Sequence, residues 1–288
     1  MRLTLIHGIA QQSYTESELL AIWTDHMLDH GIDPGKLRSA SPQMAYYGDR
    51  LYEWTQASPG LATSMGPEMQ NSELSFLSKA LDEIASANSF DEDEIEIMLS
   101  QAAIADGANA IGQSTWMGRR AVAISSILER ISPFRGRIAI KAIRQAYFYL
   151  SNKIVRTEID NLVRPHLEVD DSVIVAHSLG TVVAFNLLRE LAATKPNIQI
   201  PLLVTVGSPL AITEVQRWIG GDFGIPTNVS SWMNFYDKGD PVTLGRPLGS
   251  GFAEGIVDTV VDNKTSNAHS IAGYLDGTAL IDLLNRSL

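Results

Sequence analysis

Short apolar runs rich in β-branched residues alternate along this chain with segments of helical periodicity, and this alternation constrains the fold more than any other feature. Six runs are candidate strands, at residues 3–6, 43–47, 173–176, 202–206, 232–236 and 256–261. Most of them are nearly continuous in apolar character, which a strand needs when helices cover both faces of its sheet. The pattern predicts an α/β fold with about six mostly parallel strands flanked by helices.

Helix signals lie between several of these runs. Thr15-Glu16-Ser17-Glu18 has the sequence of a capping box, and apolar residues follow it at helical spacing until Gly31. A long apolar helix is predicted over residues 179–193, and one amphipathic helix over residues 271–288. These segments supply the helices that an α/β sheet requires on its faces.

Residues 51–167 interrupt the alternation, because they carry helical patterns but no convincing strand. We expect a mainly helical insertion there, a cap or lid that includes the helix leading into the next strand, between residues 1–50 and 168–288 of one core. Residues 79–100 carry seven acids and one base, and residues 119–144 carry seven bases and one acid. Docking of the two parts through opposite charge is favoured. The alternative is that the basic part faces an anionic substrate or lipid head group.

Composition excludes several classes of protein. A chain of 288 residues that is 45% hydrophobic and 19% charged can bury a large core and is not disordered. Its formal net charge of −11 disfavours nucleic acid as a partner. The absence of cysteine excludes disulfides, a thiolate nucleophile and zinc sites built from sulfur.

The sequence also bears on location. It has no signal-peptide pattern at its amino terminus and no apolar run of membrane-spanning length, so a cytoplasmic protein without a transmembrane segment is expected. Peripheral membrane contact through the basic part of the insertion stays open, and so does the oligomeric state.

The strongest chemical signal is a strand that ends in Ala176-His177-Ser178-Leu179-Gly180 and enters a helix. A serine on so sharp a strand-to-helix turn is held with its hydroxyl exposed, and the small residues at 176 and 180 let the backbone bend. The N–H groups at the start of the helix face any anion that forms beside the serine. Ser178 is therefore the predicted nucleophile.

This motif resembles the nucleophile elbow of the α/β-hydrolase superfamily, in particular its lipase-like and esterase-like branch, with Ala176 at a position where the usual pattern has glycine. The resemblance covers residues 1–50 and 168–288. It implies the α/β-hydrolase fold and a serine hydrolase that needs no cofactor and no metal. It also implies a triad in the chain order nucleophile, acid, histidine.

Candidates follow Ser178 in that order. His269 is the only histidine after Ser178 and is the expected general base. Asp240 stands before Pro241-Val242, as the acid does in many lipase-like relatives, and is favoured as the residue that orients the histidine. Asp237 is the competing carboxylate and is otherwise interpreted as a turn residue that accepts backbone N–H groups.

Two backbone N–H groups are expected to bind the oxyanion. One belongs to Leu179, and the other lies in the loop after the first strand, where His7-Gly8 resembles the oxyanion loop of the family. Ile9 is the favoured second donor and Ala10 the alternative. The two loops become neighbours if the strand order reverses between the first strand and the strand that leads to Ser178.

Together these features predict a serine hydrolase that cleaves small-molecule carboxylic esters, lipid esters included, through an acyl-enzyme. A thioesterase or amidase with the same triad, or a non-catalytic module that binds a ligand or partner, stays open. A helix near residues 138–150, with Tyr147, Phe148 and Tyr149, is a candidate lining for an acyl pocket. His26, His30 and His166 lie in helical or turn patterns and are expected to face solvent, and no metal site is expected because the histidines form no HExxH or comparable motif.

Overall fold

Six parallel strands form one sheet in the part of the chain that the structure, a computed structural model, describes: residues 1–9, 11–48, 50, 51, 53, 71–105, 116–131, 135–264 and 267–288. The order is β2-β1-β3-β4-β5-β6. The predicted α/β fold with six parallel strands is confirmed. The strands are β1 (Arg2–Ile6), β2 (Gln43–Ala45), β3 (Ser172–His177), β4 (Leu202–Val206), β5 (Trp232–Asp237) and β6 (Val257–Val261).

Helices occupy most of the remaining described residues. They are α1 (Glu16–Asp29), α2 (Pro34–Ser39), α3 (Asn71–Ala87), α4 (Glu92–Ala105), α5 (Trp116–Ile131), α6 (Arg135–Ser151), α7 (Lys153–Leu167), α8 (Leu179–Thr194), α9 (Thr213–Ile219), α10 (Ile271–Leu275) and α11 (Thr278–Ser287), with short 3₁₀ helices at Pro209–Ala211 and Pro241–Thr243. The capping box at Thr15 is present as predicted, because the Thr15 side chain accepts the Glu18 N–H and the Glu18 side chain accepts the Thr15 N–H.

The sheet separates two apolar cores. Ile174 and Ala176 of β3 face a core shared with α3 to α9, whereas Val173 and Val175 face a core shared with α1, α2, α10 and α11. Because helices cover both faces, all six residues of β3 are buried, which explains the nearly continuous apolar run in the sequence.

The helices α3 to α7 lie in the segment between β2 and β3 and dock partly through opposite charge, as the charge pattern predicts. Arg120 of α5 lies 2.6 Å from an Asp82 carboxylate oxygen on α3 and 2.7 Å from a Glu92 oxygen on α4. Arg144 and Glu73 form a second pair at 2.5 Å, and only 3% and 6% of their side chains are exposed. Burial lowers the pKa of Arg144 despite this partner. Arg144 belongs to the basic segment 119–144, whereas Glu73 lies outside the acidic segment 79–100.

The prediction of one carboxyl-terminal helix is wrong. The chain leaves helical geometry at Asp276-Gly277, where Gly277 has an extended conformation with φ −75° and ψ 119° and starts α11. Asp276 directly follows α10 and places its carboxylate 3.0 Å from His26 of α1. The break therefore joins the end of the chain to the first helix.

Among the described helices, none is both long and apolar enough to cross a membrane.

Candidate active site

Ser178 lies at the junction of β3 and α8 in a backbone conformation that non-glycine residues rarely adopt. Its φ is 53° and its ψ is −125°, and its hydroxyl makes no capping hydrogen bond with the start of α8. Such a conformation costs about 1–3 kcal/mol and persists only where the surrounding structure enforces it. Here β3 is held between β1 and β4, and the Ser178 N–H donates to the Val206 carbonyl oxygen at 3.1 Å.

His269 approaches this hydroxyl from the loop after β6. Its Nε2 atom lies 2.8 Å from Ser178 Oγ, and its Nδ1 atom lies 2.8 Å from Asp240 Oδ2. A carboxylate only accepts hydrogen bonds, so Nδ1 carries the proton and Nε2 accepts from the serine hydroxyl. The structure thus brings Ser178, His269 and Asp240 into one hydrogen-bonded chain, with 0% exposure of Ser178 and Asp240 and 4% of His269.

The Asp240 carboxylate is fixed by two further donors. The Val242 N–H donates to its Oδ1 atom at 2.8 Å, and the Tyr274 hydroxyl donates to its Oδ2 atom at 2.9 Å. Burial, followed by the nearby Asp240 charge, raises the pKa of Tyr274 well above its ordinary value, so this phenol keeps the proton that it donates. Both donors aim Asp240 at the imidazole.

Asp237 is used differently from Asp240. Its Oδ1 atom accepts the Gly239 N–H at 2.5 Å, and its Oδ2 atom accepts the Asn263 N–H. Asn263 in turn donates through Nδ2 to the carbonyl oxygens of Ala268 at 2.7 Å and Ser270 at 3.3 Å. Asp237 accepts backbone N–H groups, as expected of a turn residue, and it supports the residues on either side of His269 through Asn263.

His177 holds the backbone of the same loop. Its Nε2 atom lies 3.0 Å from the His269 carbonyl oxygen, which can only accept, so this nitrogen carries a proton. Burial, followed by the proximity of His269, lowers the pKa of His177 well below its ordinary value. His177 is therefore a neutral donor that positions His269.

The loop after β1 approaches Ser178 so closely that two positions accept only glycine. A Cβ atom on Gly8 would lie 2.6 Å from the Ser178 Cβ atom, and a Cβ atom on Gly180 would lie 2.6 Å from the His7 carbonyl oxygen. Ile9 follows Gly8 in this loop, and Leu179 follows Ser178 at the start of α8. The reversal of strand order at β1 and β3 thus makes neighbours of the segments that carry the two expected oxyanion donors. Ala10 lies outside the described residues.

His7 anchors this loop by both of its ring nitrogens. Nδ1 lies 2.7 Å from the Gly8 carbonyl oxygen and must donate to it, while Nε2 accepts the Tyr47 N–H at 2.9 Å. The Tyr47 hydroxyl also donates to the His7 carbonyl oxygen at 2.5 Å. These contacts fix the backbone on both sides of Gly8.

A cavity of about 400 Å³ opens beside the His269 ring. Its apolar walls come from Ile9, from α1 and α10, and from Ile138 of α6, and Lys141 of α6 also lines it. Among the described lining residues none is aspartate or glutamate. Helix α6 thus lines this cavity, but not through its aromatic residues Tyr147, Phe148 and Tyr149. Tyr147 and Tyr149 are buried elsewhere and bond to Ser72 and Asp160.

The expectation of an exposed serine hydroxyl is also wrong, since Ser178 is completely buried. The reason is the close packing of the Gly8 backbone and the His269 ring against it. A ligand in the cavity contacts His269 directly and reaches Ser178 only if this packing loosens.

Sequence reasoning missed the positioning residues His177, Asn263 and Tyr274. His177 directly precedes the candidate nucleophile, and this position in the sequence could have marked it as a residue near the site. Asn263 and Tyr274 give none, because their contacts with Asp237 and Asp240 depend on how the final loops pack.

Comparison with known proteins adds nothing to this geometry: no protein-family model matches the chain, and no curated protein matches it.

Proposed function

We propose that this protein is a serine hydrolase with an α/β-hydrolase fold that cleaves carboxylic esters through an acyl-enzyme. The observation that carries the proposal is the pair of 2.8 Å contacts that link Ser178 Oγ to His269 Nε2 and His269 Nδ1 to Asp240 Oδ2. A hydroxyl, an imidazole and a carboxylate in this order are what nucleophilic acyl transfer requires. The strained serine between a central strand and a helix supports the same assignment.

In the first half of the reaction, Ser178 Oγ attacks the ester carbonyl carbon while His269 Nε2 accepts the hydroxyl proton. The carbonyl oxygen becomes an oxyanion, which the N–H groups of Ile9 and Leu179 stabilise. Asp240 stabilises the imidazolium that forms. His269 then protonates the departing alcohol oxygen, and the acyl group stays on Ser178 as an ester.

In the second half, water attacks the acyl carbon while His269 Nε2 accepts a proton from the water. The second tetrahedral intermediate collapses, His269 returns the proton to Ser178 Oγ, and the carboxylic acid departs. Water is the only co-reactant that the two half-reactions consume, and Ser178 and His269 return to their starting states.

Esters are the favoured substrate class because the motif resembles lipase-like and esterase-like sequences and the cavity beside His269 is largely apolar. A lipid ester fits this description, although small acyl esters fit it as well. Thioesters and amides react by the same steps, so a panel of substrates with a common acyl group distinguishes the three classes.

A panel of nitrophenyl esters of increasing acyl length tests the proposal with the wild type, Ser178→Ala and His269→Ala. Both substitutions are expected to lower kcat/KM by ~10⁴-fold or more. His166→Ala is the matched control, because His166 is a half-buried histidine on α7, and it is expected to change little.

A fluorophosphonate should also label Ser178 in the folded wild type and leave Ser178→Ala unlabelled. Ester hydrolysis that survives both substitutions would reject the proposal. Saturable ligand binding without turnover, unchanged in Ser178→Ala, would instead favour the non-catalytic module.

A further inference from the structure

Three side chains far from Ser178 converge where the first helix meets the end of the chain. His26 in the last turn of α1 and His30 directly after it are four residues apart, so their rings stack on one face with centroids 6.2 Å apart and planes 11° apart. Asp276, at the break between α10 and α11, lies opposite them. One of its oxygens, Oδ1, is 3.0 Å from His26 Nδ1 and 3.3 Å from His30 Nδ1.

We propose that His26, His30 and Asp276 bind a divalent transition-metal ion, with Zn²⁺ as the best match. Ligand bonds of about 2.0–2.1 Å at a tetrahedral angle place two ligand atoms about 3.3 Å apart. The two contacts of Asp276 Oδ1 are close to this spacing, and all three ligand atoms lie within 4.8 Å of one another.

The donor set selects the type of ion. Two imidazole nitrogens and one carboxylate oxygen suit Zn²⁺, Co²⁺, Ni²⁺ or Cu²⁺, whereas Mg²⁺ and Ca²⁺ prefer oxygen ligands throughout. His30 Nδ1 also lies 2.8 Å from the His26 carbonyl oxygen, so in the metal-free protein it donates a proton there. Metal binding at this atom breaks that hydrogen bond and requires the neutral imidazole to carry its proton on Nε2.

An ion can reach this site. About a third of the His26 and Asp276 side chains is exposed, at 35% and 36%. A cavity of about 540 Å³ borders the cluster, and His30, Asp276, Asp262 and Lys264 are among its lining residues. Three protein ligands leave a fourth position for water.

The ion would join two elements that also contribute to the candidate active site. Helix α1 lines the cavity beside His269 through Leu19 and Ile22, and α10 carries Tyr274, which donates to Asp240. Because Asp276 is 250 positions from His26, the three ligands come together only in the folded state, and the ion should stabilise the fold. The site is independent of the proposed hydrolase activity.

Calorimetric titration of the metal-free full chain with Zn²⁺ tests the proposal. We expect one equivalent to bind, and a Tm rise of about 4–5 °C at 100 times Kd. His26→Gln, His30→Gln and Asp276→Asn should each weaken binding by at least about tenfold, since each removes one of three ligands. Mg²⁺ should give no Tm shift.

His166→Gln is the control, because it removes an imidazole outside the cluster and should leave the titration unchanged. Thermal unfolding of each variant without metal shows whether it folds. The proposal is overturned if the wild type binds no Zn²⁺, or if one equivalent still binds in the folded His26→Gln/His30→Gln double variant, since another site would then hold the ion.

Discussion

Gly8→Ala is the sharpest test of the loop that faces Ser178. The added Cβ atom would lie 2.6 Å from the Ser178 Cβ atom and 2.8 Å from His177 Nδ1. Carbon atoms in ordinary contact are about 3.5–4.0 Å apart, so the loop must move by about 1 Å. Ile9, the next residue, carries the proposed oxyanion N–H and must move with it.

The expected loss follows from this displacement. Removing one oxyanion donor lowers kcat by ~10²–10³, and a 1 Å misplacement near the reacting atoms can cost ~10². We therefore expect Gly8→Ala to lower kcat by about 100-fold or more with KM nearly unchanged, because the lost interaction forms only in the transition state. Overpacking should also lower the free energy of unfolding by about 1–3 kcal/mol.

Steady-state hydrolysis of a nitrophenyl ester measures kcat and KM, and urea unfolding measures stability. Gly224→Ala is the control, because a Cβ atom there meets nothing within 4 Å and both quantities should be unchanged. A folded Gly8→Ala variant whose kcat stays within ~10-fold of the wild type would refute the assignment of this loop to the oxyanion.

Three further predictions concern charge and burial. Lys141→Met should lower kcat/KM about fivefold for an ester with a carboxylate at the far end of its acyl chain, relative to a neutral ester of equal length, because Lys141 lines the cavity. Glu73→Gln should destabilise the fold by about 3 kcal/mol in urea unfolding, because it leaves the buried Arg144 charge uncompensated, whereas exposed Glu53→Gln should change stability by less than about 0.5 kcal/mol. His177→Gln keeps an N–H donor but cannot titrate. In the wild type, His177 stays neutral when folded but binds a proton when unfolded below about pH 6.5, so stability should fall with decreasing pH by up to ~1.4 kcal/mol per unit more than in His177→Gln.

Each of these has a distinct contradicting result. Equal losses on the charged and neutral esters would show that Lys141 does not sense substrate charge. A Glu73→Gln variant as stable as Glu53→Gln would mean that the Arg144 charge is solvated. Parallel stability curves for the wild type and His177→Gln between about pH 7 and pH 5 would mean that His177 is protonated in the folded state.

The sheet was predictable because its signals are local. Most of the strands lie in nearly continuous apolar runs, and helices on both faces of the sheet explain why β3 and β4 contain no exposed residue. The capping box at Thr15 is equally local, since its two hydrogen bonds join residues three apart. To predict the strand order, it was enough to assume the usual handedness of the crossovers and a reversal of the order between β1 and β3.

The contacts that the sequence could not predict join distant segments. The imidazole of His26 contacts Asp276 across 250 positions, and Asp276 lies at the break before Gly277. The prediction rested on helical periodicity alone and therefore placed one continuous helix across that break. The burial of Ser178 was missed for a related reason, because it results from the packing of Gly8 and His269 and not from the motif itself.

The candidate site was found from chain order and not from distance. Asp240 and Asp237 are three residues apart at the end of one strand, so spacing could not separate them, and the resemblance to lipase-like sequences favoured Asp240. In the structure Asp240 contacts His269, while Asp237 accepts two backbone N–H groups. Which carboxylate faces the imidazole depends on the turn at Pro241–Thr243, where the Asp240 side chain accepts the Val242 N–H.

The most direct measurement is the location of a covalent acyl group during turnover. The full chain is mixed with a nitrophenyl butyrate, quenched in acid, digested and analysed by mass spectrometry. A butyryl group on the peptide that contains Ser178, absent from Ser178→Ala, is the predicted result. Turnover with the butyryl group on another residue, or undiminished turnover by Ser178→Ala, would contradict the proposed chemistry.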